Sequence, residues 1–244
     1  MNLSETAFVS KLCMEDDFAT SSSFKVRWFT PANEVPLCGH ATLATCAAIF
    51  EAAGNSSSEL QLESLSGPLS VTREDGKIVL NFPTRDTEPV AKNEYRDLIQ
   101  TVVGDAPVNN VRYSPEARKL LVRLQDHCTR TDLESLKPSP EHMLQLEKSG
   151  RVTGVMVTLK AQSDRYDFFS RYFSPWNGIP EDPVTGSAHT VLGPYWAKVL
   201  GKTKLFARQV SARGGDLYLE LLEGGERICI GGYATFVSSG KLHL

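Results

Sequence analysis

The sequence predicts an α+β chain made of two similar lobes, and three observations predict it. Short β-branched and aromatic runs, punctuated by Gly, Pro and Ser, recur along most of its 244 residues. Only two runs, His40–Ala53 and Thr185–Leu200, have the length and small, apolar character of buried helices. A ten-residue segment occurs twice, far apart in the chain. Many strands with few helices point to antiparallel sheets.

In chain order, Phe24–Phe29 reads as a strand feeding a turn at Thr30-Pro31-Ala32-Asn33. His40–Ala53 is a helix stopped by Gly54. Residues 59–82 read as a β-meander, turning at Ser66-Gly67-Pro68 and at Asp75-Gly76. Residues 83–98 are polar and carry Pro83 and Pro89, which suits a crossover between lobes 1–88 and 89–230. The second lobe then offers a helix at Asp97–Val103, a strand at Leu120–Leu124, and short helices at Asp132–Leu136 and Pro140–Glu147. Strands at Val152–Leu159 and Phe168–Phe173 precede the helix Thr185–Leu200, which Gly201 closes. From Leu217 onward the chain returns to strands around Gly-Gly turns.

The repeat is the most informative feature. Residues 27–36 read Arg-Trp-Phe-Thr-Pro-Ala-Asn-Glu-Val-Pro, and residues 171–180 read Arg-Tyr-Phe-Ser-Pro-Trp-Asn-Gly-Ile-Pro. Each copy runs into a helix start: Cys38-Gly39-His40-Ala41 after the first, Thr185-Gly186-Ser187-Ala188 after the second. Two strand–loop–helix units of one design imply lobes related by a pseudo-twofold, with a ligand cleft expected where they meet. The free N–H groups at Gly39 and Gly186 would favour a carboxylate or a developing oxyanion.

Composition narrows the function. A net charge of -3 gives no basic footprint for nucleic acid or for an anionic membrane. No apolar run reaches the ~20 residues that span a bilayer. The five cysteines, Cys13, Cys38, Cys46, Cys128 and Cys229, form no Cys-x-x-Cys pair, and the five histidines show no metal-ligand spacing. No cofactor, no metal and a reducing, cytoplasmic location are the expectations. No phosphate loop or Gly-x-Gly-x-x-Gly is present in the sequence.

Three segments carry the candidate chemistry. Glu5, in Asn2-Leu3-Ser4-Glu5-Thr6, is either a surface carboxylate or, in a closed cleft, an acid/base with a raised pKa. His40, beside Gly39, either caps its helix or binds substrate and orients Glu5. Asp182 either caps the next helix or joins a proton relay. Ser187 reads as a helix-start hydroxyl, since no Gly-x-Ser-x-Gly elbow surrounds it. Cys38, at a helix start, could act as a thiolate base. A two-thiol racemase would need a second Cys at the matching position, which is Thr185.

The three motifs together, Asn-Leu-Ser-Glu-Thr, Thr-Pro-x-x-Glu-x-Pro-x-Cys-Gly-His-Ala-Thr and Glu-Asp-Pro-x-Thr-Gly-Ser-Ala, resemble the PhzF-like (phenazine biosynthesis-like) family, including the animal phenazine biosynthesis-like domain-containing proteins. The likeness spans essentially the whole chain. It implies the diaminopimelate-epimerase-like fold: two α+β lobes, each a curved antiparallel sheet wrapped around a central helix, with residues 231–244 completing the first lobe. It also implies cofactor-free isomerisation, with Glu5 shuttling the proton, His40 and Asp182 assisting, Gly39 and Ser187 as backbone and hydroxyl neighbours, and a homodimer. Family chains carry further residues before the first motif. Lobe one is therefore expected to lack its opening strands, as an alternative start or incomplete gene would produce, and to be less stable for it. Animal members serve no phenazine pathway, so the bacterial substrate does not transfer.

Three functions are weighed. The first is an isomerase moving a proton on a small carboxylic acid. The second is an amino-acid epimerase or racemase, against which Thr185 counts. The third is a protein-interaction scaffold, or an inactive short isoform on the same fold, with a protein partner. The retained set of Glu5, His40 and Asp182 favours the isomerase.

Overall fold

The computed structural model describes residues 5–30, 33–162 and 165–241. The Asn2-Leu3-Ser4 part of the first motif, Pro31 and Ala32 of the first turn, and residues 242–244 of the expected lobe completion lie outside these. The chain is α+β and divides into two units, one running to Leu80 and resuming at Gly231, the other Asn81–Ile230. The first division falls inside a strand, ahead of the polar stretch that follows it.

The first unit holds β1 (Thr6–Lys11), β2 (Ser23–Phe29), β3 (Glu34–Val35), α1 (Gly39–Ala47), β4 (Glu59–Ser64), β5 (Gly67–Glu74) and the start of β6 (Lys77–Pro83). Its strand order is β1-β2-β4-β5-β6, with β3 beside β2. On β2, Phe24, Val26 and Trp28 are buried while Lys25 and Arg27 face out, the period-2 alternation of a half-buried strand. The meander is the expected one. Its β5–β6 turn has Asp75 at φ 49 and Gly76 at φ 78, the left-handed pair of a tight hairpin. Helix α1 is lined by Ala, Thr and Cys and buries Ala41, Thr42, Thr45, Cys46 and Ala47. It widens into a π-helical turn over Ala48–Ala52 before Gly54 at φ 68 ends it.

The second unit adds β7 (Glu88–Pro89), α2 (Arg96–Val103), β8 (Val108–Ser114), β9 (Lys119–Leu124), α3 (Arg130–Ser135), α4 (Pro140–Leu146), β10 (Gly154–Lys160), β11 (Phe168–Ser174), β12 (Ile179–Asp182), α5 (Gly186–Leu200), β13 (Lys204–Gln209), β14 (Gly215–Leu221) and β15 (Arg227–Gly232). Every residue of β9 and β11 is buried, as is all of β10 except Lys160. Such strands read as continuous apolar runs because both faces are covered. Leu120, Val122, Val155, Val157 and Phe173 join Leu98, Val102, Leu133 and Met143 of α2, α3 and α4 in one core. Phe168 stacks on Trp196 of α5 at 5.4 Å.

Not every strand pair is antiparallel. β2–β4, β9–β10 and β11–β13 are parallel, and each is joined by a crossover containing a helix, as parallel neighbours require. Two of these crossovers are the sequence repeat. β2–α1–β4 and β11–α5–β13 share one design, each with an antiparallel partner before it (β1, β10) and a short return strand (β3, β12).

Side chains repeat as well. Arg27 grips Glu34 through two bonds of 2.8 and 2.7 Å, and Arg171 grips Glu181 through two of 2.7 and 2.8 Å. Each guanidinium lies 4.9 Å from a ring, Phe29 in one copy and Phe173 in the other.

Pro194 sits inside α5 and cannot bond the Thr190 carbonyl. The backbone N–H of Arg85 takes that acceptor at 3.0 Å, so the helix continues without an orphaned carbonyl. Among the described residues, no helix is long and apolar enough to cross a membrane.

Candidate functional site

In the first unit the site is built by β1, β2 and α1. Pairing of Thr6 with Phe29 places Glu5 one residue beyond the ladder. Glu5 adopts φ 69, a left-handed conformation that L residues enter at a cost. Cys38 is the N-cap of α1, with its carbonyl fixed by the Thr42 hydroxyl at 2.5 Å. His40 is the second residue of that helix.

The three side chains meet. His40 Nε2 lies 3.2 Å from Glu5 Oε2, and the Cys38 Sγ lies 3.7 and 3.8 Å from the two ring nitrogens. Glu5 is 8% exposed and His40 23%, so the pair is largely shielded yet open on the imidazole side.

The expectation of a raised Glu5 pKa is corrected. Burial pushes it up, but the hydrogen bond and charge of His40, with a further bond from Cys38, outweigh burial and hold it below the usual carboxylate range. Glu5 is thus ionised at neutral pH and starts as a base. Burial raises the Cys38 thiol, and the Glu5 charge adds to this against the opposing effect of His40. Cys38 is therefore a neutral hydrogen-bonding thiol in this setting, not a preformed thiolate.

In the second unit Asp182, Thr185, Gly186 and Ser187 gather at the start of α5. Asp182 is buried and accepts a short hydrogen bond from the Thr185 hydroxyl. Gln209, wholly buried, ties this loop down. Its Nε2 donates to the Asp182 carbonyl at 2.6 Å, and its Oε1 accepts the Thr185 N–H at 2.9 Å.

Lys119, at the start of β9, donates to Ser187 Oγ at 2.8 Å and lies 5.1 Å from the Tyr172 ring. It is buried, and desolvation pulls its pKa down to about 7, against the pull of Asp182. Among the described residues no carboxylate stands within ion-pair distance of it.

His189 is a satisfied core histidine. Its Nδ1–H donates to the Thr185 carbonyl at 2.7 Å, which leaves Nε2 to accept from Ser170 at 3.4 Å. Burial lowers its pKa to about 4.

The two helix starts correspond position by position: Cys38 with Thr185, Gly39 with Gly186, His40 with Ser187. Phe29 pairs with Thr6, and its repeat mate Phe173 pairs with Val155, so the counterpart of Glu5 is Gly154. A Cβ there would collide with the Tyr172 side chain. Lys119, paired with Gly154 in the ladder, supplies the ionisable group instead.

Sequence reasoning missed Lys119 and Gln209. An open hollow of about 630 Å³ beside α2 is lined by His127, Cys128 and Asp132, but these groups do not converge as the Glu5 set does.

Comparison with known proteins agrees with the geometry. The family described as phenazine biosynthesis-like protein matches residues 1–240. The chain belongs to that family. A Bos taurus phenazine biosynthesis-like domain-containing protein is 51% identical over 99% of this chain and 85% of its own length. An uncharacterized isomerase of Pseudomonas aeruginosa is 40% identical over all of this chain and 84% of its own. Among solved structures, a PhzF-family protein of Enterococcus faecalis has a TM-score of 0.81 at 36% identity, covering all of this chain and 84% of that one. A Pseudomonas aeruginosa protein predicted to be an epimerase, with TM-score 0.60 at 18% identity, shows the shared fold. The diaminopimelate-epimerase-like fold expected from the motifs is therefore the fold of this chain, shared with the PhzF-family structure and with the protein predicted to be an epimerase.

Proposed function

We propose that the protein is a cofactor-independent isomerase that moves a proton on a small carboxylic acid, with Glu5 as the acid/base. The observation that carries this reading is the Glu5–His40 contact of 3.2 Å in a shielded pair. An ionised Glu5 takes a proton from substrate carbon, and the resulting acid returns it at another carbon. His40 fixes the carboxylate and gives the transferred proton an alternative bearer.

Acidic substrates fit the second unit's chemistry. Lys119 is a buried ammonium without a carboxylate partner among the described residues, and it touches Ser187 beside the free N–H groups of α5. A substrate carboxylate at Gly186 and Ser187 would supply the missing anion. Asp182 and Thr185 hold that loop in place. The epimerase or racemase reading keeps one supporting fact, the fold, and lacks the second thiol at Thr185. A homodimer and a cytoplasmic setting belong to the same proposal.

The test is hydrogen–deuterium exchange in D2O, read by mass spectrometry, over a panel of small unsaturated and cyclic carboxylic acids. Glu5→Gln should lower exchange by about 10²–10⁴-fold while remaining folded. Undiminished exchange in Glu5→Gln removes Glu5 from the reaction. No exchange by folded wild type with any acid favours the scaffold reading.

A further inference from the structure

We propose that Glu5, Cys38 and His40 form a Zn²⁺-binding site, and that capture of the ion silences proton transfer. One ligand atom from each residue lies within 4.8 Å of the other two. The donors are a thiol, an imidazole and a carboxylate, the set that suits Zn²⁺ and not Mg²⁺ or Ca²⁺.

The spacing fits as well. Zinc bonds of about 2.3 Å to sulfur and about 2.0–2.1 Å to nitrogen or oxygen, at tetrahedral angles, set edges of about 3.6 Å for S–N and about 3.4 Å for N–O. The corresponding distances are 3.7–3.8 Å from Cys38 to the His40 ring and 3.2 Å from His40 to Glu5. The third edge, from Cys38 Sγ to a Glu5 oxygen, is at most 4.8 Å, so closing on an ion takes side-chain adjustment and no movement of the backbone ladder. The partly exposed His40 leaves a path for it and for a water as fourth ligand.

Sequence spacing hides this site. Cys38-x-His40 is too close for a standard finger pair, and Glu5 is thirty-three residues earlier in the chain, brought in by the β1–β2 ladder. The second unit offers only hydroxyls, from Thr185 and Ser187, at the matching helix positions. The site therefore belongs to the first unit alone.

Coordination consumes no oxidant. The Cys38 thiol gives its proton to solvent and binds as thiolate, His40 releases the proton it shares with Glu5 and binds through the freed ring nitrogen, and ionised Glu5 binds as it stands. With its lone pairs on the metal, Glu5 cannot take a proton from carbon. That inhibition rests on the proposed isomerase reading, whereas the binding does not.

The experiment separates the two. Metal-free protein is titrated with ZnCl2 by calorimetry and with CoCl2 by absorption, for wild type, Cys38→Ser and His40→Gln, each checked for folding by near-ultraviolet circular dichroism. One ion per chain, a thiolate-to-cobalt charge-transfer band lost in Cys38→Ser, and zinc affinity at least about tenfold weaker in both variants are expected. No zinc uptake by wild type at micromolar concentration overturns the proposal. So does uptake with an unchanged cobalt spectrum in Cys38→Ser. Zinc is then added to the deuterium-exchange assay. If zinc binds but no acid is ever exchanged, the isomerase reading fails while the metal site stands. If exchange is present and zinc-bound protein exchanges at the wild-type rate, the silencing is refuted.

Discussion

At Glu5 the backbone holds a strained conformation. A non-glycine residue at φ 69 costs about 1–2 kcal/mol, and the shielded carboxylate has the His40 ring 3.2 Å away to offset its burial. Glu5→Gly should therefore lose the exchange activity yet melt no lower than wild type in urea, since glycine is at ease in the left-handed region. A clear drop in its midpoint would show that the Glu5–His40 pair holds the unit together.

Lys119 poses the same question in the second unit. Its folded pKa of about 7 lies below the ordinary lysine value of 10.5, so the unfolded chain binds more protons between those values, and stability rises with pH across that window. Below it the whole penalty is present. Lys119→Met, which removes the charge at similar volume, should stabilise the protein by up to about 5 kcal/mol below pH 7 and flatten the rise above it. Denaturant melts at several pH values check both.

Neither property could be read in the sequence. A lysine opening a strand reads as solvent-facing, and only the packing of β9 beside the start of α5 buries it. Glu5, His40 and Asp182 were visible through their motifs. The direction of the Glu5 shift was not, because it depends on which neighbours the fold delivers.

The repeat was the clearest element-level signal, and structure gives it a physical content that the residue match lacked. Arg27 and Arg171 match in sequence. Glu34 and Glu181, their partners, fall out of register by three residues because the second return strand runs on to Asp182 past a register shift, whereas the first ends at Val35.

The two clamps differ in burial, and burial decides what each contributes. The Arg27 side chain is 51% exposed and that of Arg171 is 10%. Arg171 also donates to the carbonyls of Leu133, Glu134 and Leu136 at the end of α3, at 3.1, 3.3 and 2.8 Å. Arg27→Ala should cost less than about 1 kcal/mol, as exposed pairs do. Arg171→Ala should cost about 3–5 kcal/mol, because it leaves Glu181 and the α3 carbonyls without their donor. Unfolding free energies of the two variants check the ranking, and equal costs would refute it.

Other elements escaped the sequence for chemical reasons. β8 reads Val-Asn-Asn-Val-Arg-Tyr-Ser and β13 reads Lys-Leu-Phe-Ala-Arg-Gln, so polar residues mask their strand character. The parallel pairings were equally hidden, since strand direction is set by crossovers and not by any local pattern.

For the molecule as a whole, a fully buried titratable group to which no part in the proposed chemistry is given is His189, in α5 of the second unit. Its folded pKa of about 4 lies below the ordinary histidine value of 6.5, with burial as the main cause and Lys119 adding to it. Between those values the unfolded chain binds a proton that the native chain refuses. Stability therefore rises with pH across the window and is lost as pH falls from 6.5 toward 4. From pH 7 to pH 5 about one and a half units of that window are crossed, which corresponds to about 2 kcal/mol.

The carboxylates held low, Glu5, Asp16, Glu34 and Asp132, give up their contributions mainly below this range, because their unfolded forms titrate near 4. Lys119 acts in the same direction but adds little, since with a folded pKa of about 7 it finishes charging near the top of this interval. His189→Asn keeps a donor for the Thr185 carbonyl and carries no titrating group. Urea unfolding at both pH values should show wild type losing about 2 kcal/mol more than the variant on acidification. Parallel losses would mean that His189 accepts its proton without opening the core, and that acid sensitivity resides in the carboxylates.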